Sequence, residues 1–185
     1  MRSVLTVALA ASTVALVTHG AAAGTPAGVT VTPNTDSALT EGDVTIDGDP
    51  ATVFATAQNY PLWTELMPDV AKVEVHDQKG DDAHVTLVAP NGHRDNLHFH
   101  NTPQARLIFF EDTGNHGRAD VWGEIVFAPT AQPSSTRVHI KLYAKLHGVA
   151  TLVISESDVK AQRESKITAE LSHMRDYFRR RVADR

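Results

Sequence analysis

Two periods of apolar residues divide the chain. Val73 and Val75 alternate with Lys72, Glu74 and His76; Val85 and Leu87 alternate with His84 and Thr86; Leu97 and Phe99 alternate with Asn96, His98 and His100. A period of two sends successive side chains to opposite faces, so each run predicts a strand with one wet face. Between the runs stand turn formers, Lys79-Gly80-Asp81, Pro90-Asn91-Gly92, Thr102-Pro103, Thr113-Gly114-Asn115 and Pro133-Ser134-Ser135. Further strands are expected over 106–111, 119–127 and 136–147, the last with Val138, Ile140, Leu142, Ala144 and Leu146 on one face. Connectors this short join neighbours in space, which predicts a six-stranded antiparallel meander.

Helical signals flank the meander. A short alternating run over 43–46 predicts a first strand, and Asp49 followed by Pro50 is an N-cap with proline at the first helical position, with Val53, Phe54 and Ala57 as an apolar stripe. Tyr60-Pro61-Leu62-Trp63-Thr64-Glu65-Leu66-Met67-Pro68 predicts a second short helix, opened by one proline and stopped by another. Beyond Gly148, Ser155 and Asp158 resemble a capping box, and Ile167, Leu171, Met174, Phe178 and Val182 recur at steps of four, three, four and four. The long helix carries the one large unmatched apolar stripe, and the sheet needs a cover for its apolar face, so the helix is expected to lie across it. The predicted class is α+β, a seven-stranded antiparallel sheet wrapped on a long C-terminal helix, with two short helices after the first strand.

The first residues follow a different pattern. Arg2, an uncharged apolar stretch from Val4 to Val17, and Ala21-Ala22-Ala23 before Gly24 form the three parts of a cleavable secretory signal. About fifteen apolar residues fall short of the roughly twenty that span a bilayer, so a signal removed after Ala23 is expected and no stable membrane insertion follows it. Residues 24–40 are small and polar with Pro26 and Pro33, which predicts a flexible leader, and 41–185 form one domain. The expected location is periplasmic or secreted.

Composition narrows the chemistry. The chain has no cysteine, so neither a disulfide nor a thiol nucleophile or ligand is available. A net charge of -5 argues against a nucleic-acid partner, and Arg179 to Arg181 are expected to form a solvated C-terminal face.

Asp49-Pro50-Ala51-Thr52-Val53-Phe54, Tyr60-Pro61-Leu62-Trp63, the run from Met67 to Val75, and Ser135-Thr136-Arg137-Val138 carry a resemblance that covers nearly all of 43–181. The chain resembles the helix-grip fold of the START and birch-pollen-allergen-like superfamily, also called SRPBCC or polyketide cyclase-like, with the coenzyme-Q-binding START-like branch as the nearest flavour. The resemblance implies a ligand cavity between sheet and long helix. It does not choose among lipid or quinone carriers, hormone receptors and ring-cyclising enzymes.

The candidate chemistry is sparse. His84, His98 and His100 share one sheet face and could approach a zinc or copper ion, but they are out of phase with Val85, Leu87, Leu97 and Phe99, which puts them and His139 on the solvated face. Asp120, Trp122 and Glu124 also alternate outward. No Ser-His-Asp elbow, phosphate-cradling glycine loop or metal-binding helix motif is present. No catalytic residue, metal ligand or cofactor is therefore assigned. Trp63 is expected to lock the second short helix or close a cavity mouth, and Phe99, Phe109, Leu142, Met174 and Phe178 are expected to face the helix-sheet space, where a subset lines the cavity. The expected partner is an apolar small molecule, a lipid, isoprenoid quinone or polyketide-like ring system. A cyclase or hydrolase with polar residues in the same cavity, and an interaction module without a ligand, are the alternatives.

Overall fold

Eight strands form one open sheet in the computed structural model, which describes residues 28–32, 34–114, 119–148 and 155–183. They are β1 (Val29–Thr32), β2 (Leu39–Asp47), β3 (Lys72–Lys79), β4 (Asp82–Val88), β5 (Arg94–Thr102), β6 (Leu107–Asp112), β7 (Ala119–Pro129) and β8 (Ser135–Leu146). Their spatial order is β1-β2-β8-β7-β6-β5-β4-β3 and every pairing is antiparallel. The meander from β3 to β8 is the expected one. The signal segment, 1–23, and residues 24–27 and 33 of the leader lie outside the described residues.

One strand more is present than the alternation predicts. Val29 to Thr32 pair with Glu41 to Val44 of β2, and Val29 is buried. The stretch read as a leader thus contains an edge strand. Four residues make a weak periodic signal, and β2 supplies the backbone partners that an isolated segment lacks.

The chain leaves β2 through α1 (Pro50–Ala57), a 3₁₀ turn (Tyr60–Leu62) and the single-turn α2 (Trp63–Leu66), which carry it to the opposite edge at β3. Asp49 caps α1 as expected, its carboxylate accepting from the Ala51 and Thr52 amides at 3.1 and 3.0 Å. Tyr60 and Trp63 anchor the crossover. The Tyr60 hydroxyl accepts from Asn101 Nδ2 at 3.0 Å, and Trp63 Nε1 donates to the Ala57 carbonyl at 2.7 Å.

The long helix α3 (Glu156–Ala183) begins at the predicted capping box, with the Asp158 amide donating to Ser155 Oγ at 3.1 Å and the Ser155 hydroxyl donating to Asp158 at 2.6 Å. It lies on β1, β2 and β8. Its buried stripe runs through Val159, Arg163, Ile167, Leu171, Met174 and Phe178, whereas Val182 is 54 % exposed. The stripe is therefore displaced toward the N-terminus of the helix, and an arginine belongs to it. Arg163 is only 2 % exposed and is satisfied by oxygens rather than by a carboxylate: it donates to Thr40 Oγ1 at 3.1 Å, to the Ala144 carbonyl at 2.9 Å and to the Ser37 carbonyl. Gly42 permits the contact between α3 and β2. A Cβ there would stand 2.5 Å from Ile167 Cγ2 and 3.0 Å from Leu171 Cδ1.

Candidate functional site

Between the sheet and α3 lies a cavity of about 60 Å³. Its apolar walls come from four directions. Trp63 and Met67 close it from α2 and its end; Leu87 and Leu97 contribute from β4 and β5; Phe110, Val121 and Ile125 from β6 and β7; and Ile140 and Leu142 from β8. Gly123, between Val121 and Ile125 on the same face of β7, admits the Phe110 ring, because a Cβ at 123 would overlap ring carbons Cζ and Cε1.

The remaining wall is charged. Asp95 on β5 and Lys166 and Glu170 on α3 line the same cavity. Lys166 and Glu170 are one helical turn apart, with Nζ 2.9 Å from Oε1, and Lys166 also donates to Asp69. Burial works to lower the Lys166 pKa, but the charges of Glu170 and Asp69 outweigh it and hold the ammonium above its ordinary value. Burial pushes the Glu170 carboxyl up against the pull of Lys166. Burial likewise raises Asp95, against His93, whose Nε2 is 3.0 Å from its carboxylate. These directions agree physically: three carboxylates, Asp69, Asp95 and Glu170, gather about one ammonium, and a low-dielectric wall favours keeping a proton on the excess acid.

Of the residues singled out from the sequence, Trp63 and Leu142 line this cavity. Phe99 stands behind the lining, its ring centroid 5.1 Å from Trp63, 4.7 Å from Tyr60 and 5.8 Å from Phe110. Met174 and Phe178 are buried in the core farther along α3, outside the cavity lining. Phe109 is on the other face of the sheet, stacked 6.3 Å from Trp122, which stacks 5.2 Å from Tyr143. The inward phenylalanine of β6 is Phe110. Leu107-Ile108-Phe109-Phe110 is apolar without a break, so alternation gives no phase there, and the register with β7 decides it.

Lys166, Glu170 and Asp95 were not singled out, although signals for all three exist. Asp95 shares the phase of Leu97 and Phe99, and Lys166 and Glu170 each immediately precede a stripe residue, Ile167 and Leu171.

The outer sheet face carries the polar clusters. His84 and His98 stack at 4.7 Å, His100 Nδ1 lies 2.9 Å from Asp82, and His98 lies 3.3 Å from both Asp82 and Glu111. His139 meets Asp43 at 3.1 Å, and Asp120 meets His147 at 2.8 Å. Among the described residues, no three His, Asp or Glu side chains are arranged to hold a metal ion.

Residues 37–179 match the family described as polyketide cyclase/dehydrase and lipid transport. No curated protein matches the chain. Among solved structures, a Thermus thermophilus protein superposes with a TM-score of 0.67 at 16 % identity, over 77 % of this chain and 98 % of its own. The Zhui aromatase/cyclase of Streptomyces sp. R1128 gives 0.62 at 15 % identity, over 83 % and 96 %. A STAR-related lipid transfer protein of Xanthomonas axonopodis gives 0.61 at 15 % identity, over 83 % and 94 %. At these identities the likeness is one of fold.

Proposed function

The chain belongs to the polyketide cyclase/dehydrase and lipid-transport family, and from that premise we propose that it is an exported binding protein holding an apolar small molecule between its sheet and α3. The observation that carries this reading is the cavity, whose lining is apolar except for Asp95, Lys166 and Glu170 at one end. Such a site, apolar with few polar groups, suits an apolar body with one oriented polar end. Export rests on the tripartite segment before Gly24. No described helix is long and apolar enough to cross a membrane.

At about 60 Å³ the cavity has room for a few water molecules, whereas ligand sites commonly measure roughly 300–1,000 Å³. Loading therefore requires the walls to part. Displacement of α2, a single turn that brings Trp63 and Met67 to the cavity, would open it.

The test is native mass spectrometry of protein extracted gently from its own host, paired with binding of the neutral dye Nile red. A retained apolar adduct, or saturable dye fluorescence abolished by Leu142→Asp, is the expected result. Neither adduct nor dye binding would leave an interaction module with a filled interior.

A second reading, an enzyme of cyclase or hydrolase type, is favoured by one feature, the Asp95 and Glu170 carboxyls raised by burial at the cavity wall beside an ammonium. Groups so placed can exchange a proton with a bound carbonyl compound. Consumption of a β-polyketone by the wild type, lost in Glu170→Gln while Nile red binding persists, would decide for it.

A further inference from the structure

The charged part of the cavity wall holds both hydrogen-bond donors and acceptors. We propose that Lys166, Glu170 and Asp95 select an apolar ligand whose polar end is a neutral oxygen, a hydroxyl or carbonyl, and reject one ending in a carboxylate or phosphate. This rests on the apolar-carriage reading and names what that site takes.

The argument begins with the donors. An ammonium has three N–H groups. Among the described residues Lys166 Nζ meets two acceptors, Asp69 and Glu170, and Lys166 itself lines the cavity. A ligand oxygen can accept from the third N–H. Glu170 and Asp95 stand on the same wall, from α3 and β5, and can accept from a ligand hydroxyl or, when protonated, donate to a ligand carbonyl. A neutral oxygen thus finds both a donor and an acceptor.

Charge then sets the exclusion. Asp69, Asp95 and Glu170 bring three carboxyl groups to one lysine, with His93 and Asp112 as further titratable neighbours of Asp95. A ligand carboxylate would add a further acid to an ammonium already shared by two carboxyl groups. Like charges in contact repel, and more strongly in a low-dielectric wall than in water. The ligand's carboxylate would also lose its hydration for no compensating ion pair. A surface lysine recognising an anionic lipid would present the opposite balance.

The test uses ten-carbon chains that differ only at the head, 1-decanol, 2-decanone, decanoate and decylamine, each titrated against bound Nile red at pH 8. Decanol or decanone is expected to displace the dye at a concentration at least roughly tenfold below that of decanoate. In Asp95→Asn and Glu170→Gln, which keep side-chain shape, that gap should narrow severalfold, chiefly through tighter decanoate binding. Decanoate equal to decanol in the wild type, decylamine stronger than both neutral chains, or a gap unchanged in both variants would overturn the proposal. The wild-type series stands without the variants, so a variant that fails to fold does not shield the claim. If Nile red and all four chains fail to bind the wild type, apolar carriage is wrong and head-group selection falls with it; if the dye and the chains bind without discrimination, carriage stands and only the selection is refuted.

Discussion

Phe110 occupies the space that a side chain at position 123 would fill: the two residues are cross-strand partners on β6 and β7, and a Cβ on Gly123 would overlap the ring. The glycine is what lets an aromatic residue lie flat on the inner face and form part of the cavity wall. Gly123→Ala should therefore drive the ring away from β7 and cost about 1–3 kcal/mol by overpacking. Thermal melts read the cost, and Nile red titration reads the loss of cavity. Adding Phe110→Leu should recover much of both, whereas a single alanine without effect would show that the ring has room elsewhere.

The stripe of α3 separates two substitutions at neighbouring turns. Met174 is 1 % exposed and Arg180 is exposed. Met174→Asp buries a carboxylate with no partner and should cost several kcal/mol, against a typical total stability of about 5–15 kcal/mol. Arg180→Asp should cost under roughly 0.5 kcal/mol. Comparable melting temperatures for the two would mean that α3 does not cover the sheet through this face.

Asp95 gives a pH dependence with a definite sign. Its carboxyl is raised above the ordinary 3.8 by burial, so between the two values the folded protein holds a proton that the unfolded chain has released. Stability from this group therefore falls as pH rises through that window. Asp95→Asn removes the effect and keeps a hydrogen-bonding group for His93. The variant should melt higher than the wild type at pH 7, with the difference shrinking as pH falls through that window toward 3.8. A constant difference across pH would remove burial of the charge as its cause.

Glu74 behaves in the opposite sense on the outer face, where hydrogen bonds from Arg94 and Lys72 hold it at about 2. Its contribution is present above the ordinary 4.5 and is lost as pH falls toward 2, and Glu74→Gln should leave a shallower acid limb in a pH titration of stability. The cluster is exposed, so added salt at molar concentration should mute the difference.

Truncation tests the edge strand. A chain beginning at Asn34 loses β1, which buries Val29 and covers part of β2. Burying one valine is worth about 1.5–3 kcal/mol, so a drop of about 2 kcal/mol in denaturant unfolding is expected. No change would return these residues to the status of a leader. The same numbering bears on export. Intact mass of exported protein should begin at Gly24, which leaves β1 whole, and retention of Met1 would refute cleavage.

What could be read from the chain alone was whatever repeats locally. Strict alternation in β4, β5 and β8, the Asp49-Pro50 start, the Ser155 cap and the stripe through Ile167, Leu171 and Met174 are each set by interactions within a few residues. They sufficed for an antiparallel sheet under a long helix. The candidate site was less legible, and its misses have separate causes. Phe109 and Phe110 are equally apolar, so only pairing with β7 sends one outward to Trp122 and the other inward past Gly123. Met174 and Phe178 share the stripe with Leu171, but where along α3 the space opens depends on how the helix axis crosses β2 and β8.

The sequence by itself therefore determined the elements and which face of most of them is apolar, because hydrophobic periodicity is a property of neighbours in the chain. Tertiary structure decided the rest. It made a strand of Val29 to Thr32 by offering them the edge of β2. It satisfied Arg163 with the oxygens of Thr40, Ala144 and Ser37, all remote from it in the chain. It also brought Asp95 of β5 to the cavity wall formed by Lys166 and Glu170 of α3, across three intervening strands of sequence. A charged residue beside an apolar stripe reads locally as solvated. Only the arrival of a distant strand, which removes water and adds a like charge, makes it the polar end of a cavity.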